Sequence, residues 1–187
     1  MMQKTGIHII LFAILSLPMI AQVGKKNEKE PYIITKTVDM PGLSKDKVYK
    51  AGVRWLKKLE DTQLERFNEA EGIYEAKSRL LYENDVRLEN ILLSKDAALR
   101  TKGYIYYTVR ITAKEGKLII DFTNFDHDAF ISRYGKISFG LIVKSEKVPL
   151  DTCFEHTLWC NAVWENMKSK ILKHITAIWM NSKSTFD

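Results

Sequence analysis

Residues 104–125 constrain the fold more tightly than any other part of the chain. From Tyr104 to Ala113 the residues alternate: Ile105, Tyr107, Val109, Ile111 and Ala113 fall on one side, and Tyr104, Tyr106, Thr108, Arg110 and Thr112 on the other. A period of two is the signature of a strand buried on one face. Lys114-Glu115-Gly116 follows, a short turn with glycine where a positive backbone angle is often needed. Lys117–Phe125 then alternates again, with Leu118, Ile120 and Phe122 on a single side. Two long strands joined by a tight turn commit the chain to an antiparallel sheet covered on one face and wetter on the other.

The cover must come from amphipathic helices, and two are legible. After a strand pattern at residues 32–40, in which Tyr32, Ile34, Val38 and Met40 share a face, Pro41-Gly42 stops the run and Ser44 is placed to cap a helix. Val48, Ala51, Gly52, Trp55, Leu56 and Leu59 then recur at helical spacing, with Arg54 and lysines opposite. At the other end, Cys160, Val163, Trp164, Met167, Ile171, Ile175 and Ile178 make the apolar stripe of a long helix over residues 157–181. Both helices carry a tryptophan in the stripe, so both are expected on the same sheet face. Between them, Leu64, Phe67, Tyr74 and Leu81 are spaced as a helical stripe, which predicts a helix or helix pair in 61–88 despite Gly72. Ile91 and Leu93 predict a strand, Ser94-Lys95-Asp96 a turn, and 98–103 its returning partner. Residues 126–136 look like a loop, and Ile137, Phe139, Leu141 and Val143 like one more strand. The expected class is α+β, an antiparallel sheet of about five strands with two main helices packed on one face.

These pieces resemble a bacterial family of exported domains of unknown function with a TBP-like fold. The residues that carry the resemblance are V-Y-K-A-G-V-R-W-L-K-K (48–58), T-K-G (101–103) and Y-Y-T-V-R-I-T-A-K-E-G-K-L-I-I-D-F-T-N-F (106–125). They are packing and turn residues. The resemblance implies a shape shared with the TATA-binding protein, implies no DNA binding, and offers no catalytic residues. The long segment 61–88 departs from the family pattern, in which the second strand follows the helix sooner.

The N-terminus supplies an address. Lys4 is the sole charge ahead of the apolar run Ile9–Leu17, Pro18 ends that run, and Ala21 is a small residue suited to signal-peptidase cleavage before Gln22. The run is shorter than the roughly 18–20 residues that cross a bilayer as a helix. Residues 1–21 therefore read as a signal peptide, 22–30 as a charged flexible tail, and 31–187 as a single domain in the periplasm or cell envelope. No transmembrane segment is expected in the mature chain. The formal charge of +6 comes from interleaved acids and bases, which argues against a nucleic-acid partner.

Chemistry is sparse. Asp126-His127-Asp128 sets two carboxylates around an imidazole, a combination that suits a metal ion or a proton relay. On a loop, the acids would favour protonated His127, and neighbours on an extended chain point to alternate sides. Tyr104, Tyr106 and Arg110 share the polar face of the best strand and would suit a glycan or peptide, or simply pair across the sheet. Cys153 and Cys160 are the only cysteines. Within one helix their Cα atoms would stand about 10.5 Å apart, too far for a bridge, so a disulfide requires Cys153 to precede the helix; two free thiols are the alternative. Nothing calls for a cofactor. The leading reading is a non-enzymatic binding or interaction module for an envelope protein, peptide or glycan. The alternatives are a small hydrolase or metal-assisted enzyme using 126–128, and a carrier for an apolar ligand.

Overall fold

The structure, a computed structural model, describes residues 30–59, 61–87, 95–149, 153, 157–182 and 186. In chain order the elements are β1 (Ile34–Asp39), α1 (Lys45–Leu56), β2 (Gln63–Asn68), β3 (Ile73–Tyr82), α2 (Lys95–Arg100), β4 (Gly103–Lys114), β5 (Lys117–Ala129), β6 (Gly140–Leu141) and α3 (Thr157–Ser182). The strands form one antiparallel sheet in the order β1-β5-β4-β3-β2, with β6 pairing the far end of β5 beyond β1. The α+β architecture expected from the alternation is present, with β4 and β5 at its centre.

The interior lies between one face of this sheet and helices α1 and α3. Ile105, Tyr107, Val109 and Ile111 of β4 and Leu118, Ile120 and Phe122 of β5 are buried there, with Trp55 of α1 and Trp164 of α3. Trp55 meets Phe122 edge-on at 6.4 Å, and Tyr107, which also packs on Phe122, bonds through its hydroxyl to Nε2 of His174 on α3 at 3.0 Å. Both helices therefore sit on the same face. Gly52 lets α1 approach closely: a Cβ there would meet Leu118 Cδ1 at 2.9 Å. The N-terminal half of α3 is fixed by a polar chain in which Tyr82 donates to Asn166 and Asn166 donates to Asp85. Cys153 and Cys160 form a disulfide with Cα atoms 6.1 Å apart, which ties the segment before α3 to its first turn. Among the described residues no helix is long and apolar enough to cross a membrane.

Four local expectations are overturned. Residues 61–88 hold no helix among the described residues; 63–68 and 73–82 are a hairpin of β2 and β3. Gly72 makes the turn with φ of 73°, and Tyr74, Ala76, Ser78, Leu80 and Tyr82 alternate inward, a period-two signal that the spaced leucines and aromatics obscured. Leu64 and Phe67 are exposed on the edge strand. The chain thus returns to the sheet soon after α1. Residues 95–100 are a short helix instead of a turn and returning strand, while residues 91–94 lie outside the described residues. Residues 126–129 continue β5 instead of opening a loop. The expected strand over 137–143 shrinks to Gly140–Leu141 because Gly140, at φ of 62°, breaks the extended run. Ser44 does precede α1, but its side chain makes no cap bond; Glu115 accepts from the Lys45 N–H instead.

Candidate functional site

The sheet face turned away from the helices carries the candidate site. A bulge in β5 decides what points there. Tyr106 pairs with Asp126 and Thr108 with Thr123, so β5 spends three steps where β4 spends two. Asn124 absorbs the extra residue with φ of 54°, a left-handed conformation that asparagine tolerates. Before the bulge, even-numbered residues face the core; after it, Phe125, His127 and Ala129 do. Asp126 and Asp128 are thereby turned outward and His127 inward.

His127 is 1% exposed. Its Nε2 is 3.0 Å from the carbonyl of Thr101, and its Nδ1 accepts the Phe139 N–H at 3.1 Å. Because the amide must donate, Nδ1 carries no proton and Nε2 donates to Thr101. Burial lowers the histidine from 6.5 to about 4, outweighing its bond to Thr101 and the field of Asp128. The expectation of a protonated histidine between acids is corrected: the ring is a neutral crosslink between β5, the α2–β4 connection and the approach to β6. Asp128 lies on the opposite face, accepts from Lys136 at 2.9 Å and Ser138 at 2.8 Å, and is held below the usual carboxylate range by those bonds. Asp126, His127 and Asp128 do not converge on a point, and no group of three metal-ligating side chains occurs among the described residues.

On the open face the aromatic residues gather. Tyr104 and Tyr106 lie with ring centroids 6.0 Å apart, and Phe130 meets Tyr104 edge-on at 5.1 Å. Arg79 of β3 places its guanidinium 4.5 Å over the Tyr104 ring and lies 3.8 Å from Asp61. Register puts Leu81, Tyr104 and Asp128 in one row across the strands, and Arg79, Tyr106, Asp126 and Leu141 in the next. Tyr106 is 42% exposed and borders a notch of about 340 Å³ between Lys77, Arg79 and the α1–β2 connection at Asp61 and Thr62. Arg110 shares the face, but four residues from Tyr106, about 13 Å along the strand. There it pairs with Glu75 at 3.4 Å. The cation beside the rings is Arg79, which the helical spacing of Leu64, Phe67, Tyr74 and Leu81 conceals; the inward alternation from Tyr74 to Tyr82 is the signal that places it outward.

Over residues 35–128, half of the chain, the sequence matches the family model described as a domain of unknown function (DUF4468) with TBP-like fold. The chain belongs to that family. The match runs from β1 almost to the end of β5, so it includes the Tyr104–Tyr106 platform of this DUF4468 domain and stops before Phe130. A crystal structure of a DUF4468 family protein from Bacteroides ovatus is similar at a TM-score of 0.52 and 16% identity, covering 82% of this chain and 85% of that one. A TBP-like protein from Parabacteroides distasonis has a TM-score of 0.44 and 16% identity, over 79% of this chain and 92% of the other. The first likeness carries the fold alone. No curated protein matches the DUF4468 chain.

Proposed function

We propose that this DUF4468 protein is a non-enzymatic binding module of the cell envelope, exported by residues 1–21, that takes a neutral glycan on its open sheet face. The observation that carries the reading is the cluster of Tyr104, Tyr106 and Phe130 beside Arg79, left uncovered by either helix. Aromatic faces stack on the apolar CH faces of sugars, and the adjoining guanidinium and carboxylates offer bonds to hydroxyl groups. The charges on this face are largely paired: Arg110 with Glu75 and Lys77 with Glu65 across strands, Asp128 and Arg79 with Lys136 and Asp61 of the adjoining connections. Such a face presents little net field to a charged polymer, and a polyhydroxylated neutral ligand suits it better than nucleic acid or a strongly charged peptide. The paired cysteines support the address, since disulfides persist in oxidising compartments. The three residues of 126–128, split between two faces, give no support to a hydrolytic or metal-assisted reading.

The test is calorimetric titration of the purified protein with neutral hexasaccharides of glucose, xylose, mannose and N-acetylglucosamine, beside a Tyr104→Ala/Tyr106→Ala variant. At least one sugar is expected to bind with a dissociation constant below about 1 mM, or more than roughly 4 kcal/mol. The double variant should lose it. Silence across the panel, or equal binding by the variant, contradicts the reading.

A further inference from the structure

On the opposite side of the molecule from the tyrosine platform, a groove of about 710 Å³ runs along the outer flank of α1. Its floor is apolar, made by Met40 and Leu43 from the β1–α1 connection, Ala51 and Val53 of the helix, and Phe186. Phe186 is held there by ring contacts with Trp55 at 5.9 Å and Trp179 at 6.3 Å. One margin is cationic. Lys47, Lys50 and Arg54 line the groove at helical spacings of three and four residues, which stacks them along one stripe of α1. Lys50 is bound to Asp46 at 2.8 Å, and Glu69 is the other acid whose field reaches it. Lys47 and Arg54 are exposed and make no ion pair among the described residues.

An apolar trough about two helical turns long, with two cations on its margin that no described acid pairs, has a narrow chemical complement. A neutral hydrocarbon would leave the cations without a counter-ion. A small hydrophilic anion would leave the trough exposed to water, and the volume lies in the range of ligand pockets, roughly 300–1,000 Å³. We infer that this groove is a second binding site, for a monomeric long-chain carboxylate whose chain lies along α1 and whose head group meets the cation at one end of the trough, Lys47 or Arg54. The site shares no residue with the open sheet face and stands or falls independently of the glycan reading.

The experiment is a fluorescence titration of the purified protein with cis-parinarate, followed by displacement with palmitate and with the neutral analogue hexadecanol. The Lys47→Gln/Arg54→Gln variant is titrated in parallel, and co-sedimentation with phosphatidylglycerol vesicles is measured separately. Both substituted side chains are exposed, so the thermal midpoint of the variant should match that of the parent. The expected results are saturable parinarate binding below about 10 μM, displacement by palmitate at similar concentrations, at least tenfold weaker competition by hexadecanol, and at least a tenfold loss in the variant. Absence of saturation by 0.1 mM would overturn the inference, as would a variant that binds as tightly as the parent. Vesicle binding without parinarate uptake would overturn it too, and would make the cation stripe a membrane-docking face.

Discussion

Strand β4 has two faces, and they differ in almost every physical respect. Toward the helices it presents Ile105, Tyr107, Val109, Ile111 and Ala113, none more than 2% exposed. Away from them it presents Tyr104, Tyr106, Thr108, Arg110 and Thr112, partly wet and joined to neighbours by ring contacts and cross-strand ion pairs. Each large apolar side chain buried on the first face, such as Ile105, Val109 or Ile111, contributes on the order of 1.5–3 kcal/mol by leaving water. Exposed ion pairs such as those on the second contribute about 0–1 kcal/mol each. Stability is thus concentrated on one side of a single strand, which leaves the other side free to vary its chemistry without unfolding the domain. A sheet covered by helices on one face only has that division built in.

Substitutions on the two sides of the strand test this division of labour. The largest effect belongs to Trp55→Ala, which removes a fully buried ring packed on Phe122 and Phe186; a loss of about 3–5 kcal/mol is expected from urea unfolding. A midpoint close to that of the parent would show that the covered face does not hold the fold.

Next comes acid. In the unfolded chain His127 takes up a proton below its ordinary 6.5, whereas the buried ring resists protonation until about pH 4. The unfolded state therefore binds more protons in this window, and stability falls as pH drops from 6.5 toward 4. The full loss from this group is about 3 kcal/mol, at 1.36 kcal/mol per pH unit. His174, also lowered by burial, acts in the same direction. Urea midpoints measured from pH 8 to pH 4 should be flat above pH 7 and decline below 6.5, and His127→Gln should flatten most of the decline. An unchanged slope in that variant would assign it elsewhere.

Reduction of Cys153–Cys160 opens a short loop at the start of α3 and is expected to cost about 2–3 kcal/mol by loop entropy. Matched unfolding curves with and without dithiothreitol measure it. The smallest effect is on the open face: Tyr106→Ala should change stability by no more than about 0.5 kcal/mol. If it costs as much as Trp55→Ala, the division between the faces fails.

What the sequence made legible follows the same physics. The β4–β5 hairpin and both long helices declare themselves, because a clean period of 2 or 3.6 is written by burial of one face. The β2–β3 hairpin hid because Leu64 and Phe67, which set the false helical stripe, are exposed residues on an edge strand whose side chains answer to no core. The site was lost at one residue. Asn124 inserts a bulge that reverses which parity faces inward, so the buried His127 and exposed Asp126 cannot be assigned by counting from Phe122. Tyr104, Tyr106 and Arg110 share a face that counting along β4 finds, since no bulge turns its alternation over, but the cation beside the two tyrosines, Arg79, comes from a strand the pattern conceals.

The claim that most needs testing is that the open face is where the protein meets its ligand. Amide chemical shifts of the isotopically labelled protein, followed while titrating the sugar that binds best, test it residue by residue. The perturbed amides are expected to cluster at Arg79, Leu81, Tyr104, Tyr106, Asp126 and Phe130, with α1 and α3 silent. Perturbations confined to the helices, or a spectrum unmoved at millimolar sugar, would contradict it.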